Sequence, residues 1–320
     1  MPAHAIDIRP VRAFALACGL LLCVGQEAVA ASILFVGNSF MFAQGSPVRY
    51  YRADTVTDIN GTGIGGVPAL FKSFASQAGL SYEVFLETEP GVGIDWHLEH
   101  KLPAIGARAW DSVVLQSYST LDAQKAGDPV LLIASVQKIA GLLRTRNPGV
   151  ELRLVATWPR ADQVYDPKGA WYGKTIEAMA LDVRAGYDRA AAATPGITAV
   201  VPVGEAWVRA MHEGLAAANP YDGIDAGKID LWTYDHYHAS TYGYYLEALV
   251  LFGSITGRDP RSLGDRECSG FELGLSSAQV HALQQVAYRQ LALGAHPPKP
   301  APAPAALPGA PQRCAPAKRV

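Results

Sequence analysis

The segment ILFVGNS, residues 33–39, decides the predicted fold. Its first four residues are apolar without interruption, which is typical of a strand buried on both faces in a parallel sheet. Gly37 ends the run, and Asn38 and Ser39 continue it as turn sequence. The segment therefore predicts a short buried strand that places Ser39 at its carboxyl end.

Similar apolar runs recur along the chain and alternate with helical patterns. Further strands are predicted at residues 82–87, 112–117, 151–158 and 198–204, and helices at residues 67–79, 129–149, 173–194, 239–256 and 277–293. Strands that alternate with helices of this length predict a parallel sheet covered by helices on both faces. In such sheets, functional groups gather at the carboxyl ends of the strands.

The two ends of the chain differ from its middle. Residues 1–30 combine Arg9 and Arg12, an apolar run at 13–25 and a final Ala-Val-Ala, which predicts a signal peptide, with an uncleaved anchor as the alternative. Residues 296–320 are rich in Pro and Ala and predict a disordered tail. We therefore expect one domain over residues 31–295, secreted or periplasmic, without stable membrane insertion after cleavage.

Composition excludes some classes of partner. The chain has 320 residues, of which 49% are apolar and 18% charged, and its net charge is −2. Such a chain lacks the basic surplus of nucleic-acid-binding proteins, so no nucleic acid partner is expected. Cys268 and Cys314 follow the predicted signal segment. They could pair in an oxidising compartment or remain two free thiols.

A serine nucleophile needs a base, and the base needs an orienting group. The sequence DHYH at residues 235–238 supplies both, because Asp235 and His238 are three positions apart and fall on one side of a turn. Two alternatives stay open for this segment. It could be a polar loop that caps the following helix, or Asp235, His236 and His238 could bind a metal. Likewise, GNS on its own is also ordinary turn sequence.

Two segments, ILFVGNSF at residues 33–40 and DHYHAS at residues 235–240, resemble the SGNH/GDSL hydrolase superfamily, in the branch whose first block reads GNSF. The resemblance implies a flavodoxin-like three-layer α/β/α sandwich with a parallel sheet. It also implies ester hydrolysis, often of acetyl groups on sugars, through an acyl-enzyme without a metal or organic cofactor. Ser39 would be the nucleophile and first oxyanion donor, His238 the base and Asp235 its orienting group.

The same resemblance implies two further oxyanion donors. A glycine N–H after the second strand is expected from Gly91, with Gly93 as the alternative. The third block of the family offers Gly-x-Asn-Asp, but this chain reads VVLQSYST and has no Asn there. Gln116 carries the same amide donor on a longer side chain and is the predicted replacement, with Ser119 as the rival.

Four residues near these blocks are predicted to bind substrate: Asn38, Trp96, His97 and Trp158. Their aromatic members would suit stacking on a sugar face. The sequence thus predicts a secreted serine esterase acting on a small-molecule or carbohydrate ester. The alternatives are a catalytically degenerate ligand-binding protein on the same fold and a metal-dependent phosphoesterase.

Overall fold

The computed structural model describes Met1, residues 30–264 and residues 267–299. The predicted signal segment and nearly all of the predicted tail therefore lie outside the described residues. A parallel sheet in the order β2-β3-β1-β4-β5-β6 forms the middle of the domain. Its strands are β1 (Ala31–Gly37), β2 (Thr57–Asp58), β3 (Tyr82–Thr88), β4 (Ser112–Leu115), β5 (Glu151–Ala156) and β6 (Ile197–Pro202).

Helices cover both faces of the sheet and complete the expected three-layer α/β/α architecture. They are α1 (Gly66–Gln77), α2 (Ile94–His100), α3 (Leu102–Ile105), α4 (Val130–Arg146), α5 (Ala161–Val164), α6 (Ile176–Ala192), α7 (Val203–His212), α8 (Thr241–Thr256), α9 (Cys268–Glu272) and α10 (Ser277–Leu291). Helix α8 packs against α1, α7 and α10, while α4 packs against α2 and α6. The predicted α/β fold class is confirmed.

The quoted segment forms the central strand. β1 pairs with β3 on one side and with β4 on the other, and residues 33–36 are fully buried. In the register, Gly37 lies beside Thr88 and Val36 lies beside Leu115. These three strands therefore end at the same edge of the sheet, and the segments that follow them emerge side by side.

The structure departs from the sequence prediction at short elements. β2 has only two residues, too few to show a period, and α2 is a seven-residue helix that was not predicted. The predicted strand at 198–204 ends at Pro202, because α7 begins at Val203. Proline has no N–H to donate to a further ladder bond, which favours the change of element here. Ser276 is the N-cap of α10 and forms a capping box with Gln279.

The region after α10 stays ordered beyond residue 295. Lys299 N donates to Gly257 O at 2.8 Å, and Asp259 N donates to Lys299 O at 3.2 Å. Cys268 is buried and disulfide-bonded, whereas Cys314 lies outside the described residues. Among the helices described, none has the length and apolarity that crossing a bilayer requires.

Candidate active site

Ser39 lies on the turn that follows β1. Met41 N and Phe42 N both donate to Asn38 O, at 2.9 and 3.1 Å, and Gln44 N donates to Ser39 O at 3.0 Å. Ser39 is 5% exposed. Within the described part of the chain, no hydrogen bond engages its N–H or its hydroxyl. Both groups are thus left available for chemistry at the end of a rigid strand.

Asn38 joins three segments at this edge of the sheet. Its Nδ2 donates to Val92 O at 2.8 Å and to Ser117 O at 3.3 Å, while its Oδ1 accepts from Phe40 N at 3.1 Å. We call the contact of Asn38 Nδ2 with these two carbonyls the Asn38 junction. The side chain therefore supports the turn from within. Its predicted contact with substrate stays a prediction.

Asp235 and His238 form the expected pair. His238 Nδ1 lies 2.6 Å from Asp235 Oδ2. Asp235 Oδ1 also accepts from Thr233 Oγ1 at 2.7 Å and from the N–H groups of His238 and Tyr237 at 2.9 and 3.0 Å. Burial alone would raise the pKa of Asp235, but the hydrogen bonds from His238 and Thr233 lower it to about 2. An ionised carboxylate only accepts, so Nδ1 carries the proton and Nε2 is free to act as a base.

The loop that carries this pair is fixed to the segment after β5. Trp158 Nε1 donates to Tyr237 O at 3.1 Å, and Trp232 Nε1 donates to Pro159 O at 3.0 Å. The Arg160 guanidinium lies 3.5 Å over the ring of Tyr237. Two indole donors and one cation–π contact thus hold the base in place without any regular secondary structure.

The serine turn and the histidine loop meet through α8. The Tyr244 hydroxyl contacts Ser39 O at 3.3 Å and Gln44 O at 3.1 Å, and the rings of Phe40 and His238 are 5.9 Å apart. No hydrogen bond joins the Ser39 hydroxyl to His238 in the described residues. Such bonds are often long in the free enzyme and tighten when substrate binds.

Trp158 contradicts the predicted substrate rim. Its side chain is 0% exposed and is stacked between Phe40, at a centroid distance of 3.8 Å, and Trp207, at 5.0 Å. A ring buried on both faces cannot stack on a sugar. The correct role of Trp158 is to support the turn and the histidine loop, whereas Trp96 is partly exposed and its role in binding stays a prediction.

The predicted role of His97 in substrate binding is also wrong. It is 0% exposed, and its Nε2 lies 2.9 Å from Gly37 O, under the end of β1. Burial lowers the pKa of His97 to about 4, so the ring is neutral at pH 7 and Nε2 donates to that carbonyl. Its Nδ1 faces the buried Glu87, 3.7 Å away. A side chain in this position supports the strand and cannot reach substrate.

Gln116 is engaged below the turn, in contrast to its predicted role as an oxyanion donor. It is fully buried, its Oε1 accepts from Asn38 N at 3.0 Å, and its Nε2 donates to Ser117 O. A Cβ on Gly37 would lie 2.6 Å from Gln116 Oε1, so only glycine fits above this side chain. As placed, Gln116 has no amide donor directed at the site.

The structure distinguishes the two glycines predicted as oxyanion donors by their placement. Gly91 is exposed on a turn with φ of 71°, and no atom lies within 4 Å of where its Cβ would be. Gly93 is buried at the start of α2 and directly follows Val92, whose carbonyl belongs to the Asn38 junction. The geometry therefore favours Gly93, the alternative named from the sequence.

The structure offers no set of ligands for the alternative metal site in its described residues. Within the described ranges, no group of three or more His, Cys, Asp and Glu side chains is arranged to hold a metal ion. His236 adopts a left-handed backbone, with φ of 54°, and its ring contacts Tyr221 at 4.2 Å, away from His238. Sequence reasoning missed Thr233 and Tyr244. A Thr two residues before an Asp is a readable local signal, but the contact of Tyr244 exists only in the fold.

Several solved structures are similar to this chain. A DUF4886 family protein from Bacteroides uniformis is 17% identical, with 82% of this chain and 95% of that chain covered and a TM-score of 0.58. A candidate SGNH hydrolase from Slackia heliotrinireducens is 21% identical over 71% of this chain and 99% of that one, with a TM-score of 0.47. The Clostridium thermocellum family 3 carbohydrate esterase is 16% identical over 71% and 96%, with a TM-score of 0.44.

No family model and no curated protein matches the sequence. Matches at sequence identities this low support a shared fold only, so any activity has to be inferred from the geometry of the site. With its all-parallel strand order, the chain shares the three-layer α/β/α fold of the DUF4886 family protein.

Proposed function

We propose that the protein is a serine ester hydrolase with Ser39 as nucleophile, His238 as base and Asp235 as orienting group. One observation carries the proposal. The His238–Asp235 pair, joined by a hydrogen bond of 2.6 Å, lies on a loop whose His238 ring packs 5.9 Å from Phe40, and the preceding Ser39 has no hydrogen bond to its hydroxyl or N–H among the described residues. An oriented imidazole next to an unengaged serine is the arrangement that activates a hydroxyl for attack.

The reaction follows from these positions. His238 Nε2 takes the proton of the Ser39 hydroxyl as its oxygen bonds to the ester carbonyl carbon. The carbonyl oxygen becomes an oxyanion, held by the N–H groups of Ser39 and Gly93. The imidazolium, stabilised by Asp235, then gives its proton to the leaving alcohol, and an acyl-enzyme remains. Water activated by His238 attacks the acyl carbon, which releases the acid and restores Ser39.

Access to the site supports a small acyl group. Ser39 is 5% exposed and precedes Phe40, whose ring packs with Trp158 and Tyr237, so a short acyl chain such as acetyl fits better than a long one. Two aromatic rings are exposed beside the histidine loop: Tyr234 at 91% and Tyr221 at 46%. Exposed rings of this kind suit the apolar face of a sugar, and we propose a carbohydrate as the alcohol. The signal-like residues 1–30 support work outside the cytoplasm.

The test is hydrolysis of p-nitrophenyl acetate by the mature protein, beside Ser39→Ala and His238→Ala. Loss of turnover in both variants, with unchanged melting temperatures, is the expected result. His212→Ala is the matched control, since this histidine is exposed and lies on α7, away from the site. Full activity of Ser39→Ala would refute the proposal. A wild type that neither turns over the ester nor reacts with a serine-directed phosphonate would favour the degenerate binding protein.

A further inference from the structure

The Asn38 junction fixes more than the nucleophile. Asn38 Nδ2 holds the carbonyls of Val92 and Ser117 within 3.3 Å of one nitrogen atom. In the sequence, the three residues of the junction are followed by Ser39, Gly93 and Tyr118, respectively. Three chain segments that leave β1, β3 and β4 are thus brought to one point, and their next residues surround it.

Tyr118 is in direct contact with the proposed glycine donor. A Cβ built on Gly93 would lie 2.6 Å from Tyr118 Cδ2 and closer still to Cε2, so the ring edge packs on the glycine and excludes any side chain there. Tyr118 is partly exposed, unlike Gln116 and Ser117, the two buried residues that connect it to β4. Of residues 116–118, Tyr118 is therefore the one with surface accessible to solvent.

We propose that the Tyr118 hydroxyl is the third oxyanion donor and takes the part that an asparagine amide was expected to play. This inference rests on the proposed serine hydrolase function. An oxyanion bound by the N–H groups of Ser39 and Gly93 lies next to the edge of the Tyr118 ring. The phenolic O–H donates one hydrogen bond to it, and no covalent step or proton transfer by Tyr118 is needed.

The surroundings of Tyr118 keep it in its donor form. Burial and the nearby Asp95 carboxylate raise the pKa of Tyr118, while the Gly93 N–H acts in the opposite direction. The Tyr118 ring edge and Asp95 Oδ1 both lie beside Gly93, since a Cβ built there would be 2.6 Å from Tyr118 Cδ2 and 2.5 Å from Asp95 Oδ1. Asp95 Oδ1 is buried and has no hydrogen-bond partner in the described residues, so it can accept the phenolic proton when no oxyanion is present. The donor then turns from Asp95 to the reacting oxygen.

The rival donors are poorer candidates in this structure. Gln116 Nε2 already donates to Ser117 O. Ser119 is 6% exposed, and its Oγ accepts from Arg160 Nη1 at 3.3 Å on the side of β5. The Ser119 hydroxyl is therefore engaged with the Arg160 side chain of the Arg160–Asp162 ion pair.

The experiment compares Tyr118→Phe with two control variants. Ser119→Ala removes the rival hydroxyl, and Tyr50→Phe makes the same substitution at an exposed tyrosine. Phe keeps the ring on Gly93 and removes only the hydroxyl. We expect kcat for p-nitrophenyl acetate to fall about 100-fold in Tyr118→Phe with little change in KM, as for loss of one oxyanion donor. Affinity for a boronic acid that forms a tetrahedral adduct on Ser39 should fall with it. Both controls should keep the wild-type kcat.

The outcomes separate this inference from the function on which it rests. Wild-type kcat in Tyr118→Phe, with Ser39→Ala inactive, would overturn the role of Tyr118 and leave the hydrolase standing. A loss confined to Ser119→Ala would assign the donor to Ser119 instead. A loss in Tyr118→Phe that appears in KM alone would show a binding role and refute oxyanion stabilisation. An inactive, unlabelled wild type would refute the hydrolase and Tyr118 together.

Discussion

His97 should make the stability of this protein fall in mild acid. The folded protein keeps the ring neutral beneath β1, because burial lowers its pKa from 6.5 to about 4. The unfolded chain binds a proton below pH 6.5 and the folded chain does not until about pH 4, so stability is full above pH 6.5 and decreases between these values. At about 1.4 kcal/mol per pKa unit, the whole change is about 3 kcal/mol.

The perturbation is His97→Gln, which keeps an N–H donor for Gly37 O but cannot titrate. Between pH 8 and pH 5, the wild type should lose about 2 kcal/mol of unfolding free energy more than the variant. Urea unfolding at a series of pH values measures this difference. Glu87 acts in the opposite sense, because burial raises its pKa, but it is present in both proteins and its effect largely cancels.

His100→Gln is the matched control, since His100 lies on the same helix with its side chain 46% exposed. Its stability should follow the wild type over the whole pH range. Parallel curves for wild type and His97→Gln would refute the reasoning, because they would mean that His97 takes up its proton equally well in both states.

Three further outcomes follow from the site and its supports. Asp235→Asn should lower kcat about 10³- to 10⁴-fold in the p-nitrophenyl acetate assay, because an amide no longer fixes the tautomer of His238; near-normal kcat would contradict the pair. Trp158→Ala should lower the unfolding free energy by about 3–5 kcal/mol in urea, because it opens a cavity between Phe40 and Trp207; a loss under 1 kcal/mol would contradict the stack. Ser276→Ala removes the capping box of α10 and should cost about 1 kcal/mol in thermal unfolding with kcat unchanged; a changed kcat would link α10 to the site.

Local patterns in the sequence were enough for the sheet and for the two segments of the site. Residues 33–36 are all apolar because β1 is covered on both faces. Burial of this strand is therefore visible in the sequence as an uninterrupted apolar run. The Asp235–His238 contact is equally local, since it spans one turn. Both features depend on neighbours in the chain, and that is why they could be predicted.

Burial of individual side chains was where prediction failed. Trp158 and His97 follow strand ends or turns, where exposed functional residues are common, yet both lie under neighbouring segments. The sequence within ten residues of Trp158 does not predict that its ring stacks on Phe40 and Trp207. The role of Gln116 likewise depends on Asn38, which is 78 positions away. Contacts of this range are decided by the packed fold and leave no local pattern to read.

The contact between Tyr244 and Ser39 joins residues 205 positions apart. The proposed nucleophile Ser39 lies early in the chain, but Asp235, His238 and Tyr244, which would orient its base and support its turn, lie near the end. Closing a loop of this length costs conformational entropy before the contact stabilises the fold, so we expect this contact to form only when the surrounding domain is assembled. A partly folded or truncated chain would hold an ordinary serine on a loop. The proposed activity would therefore report complete folding more sensitively than helix content does, and we expect it to return last during refolding from urea.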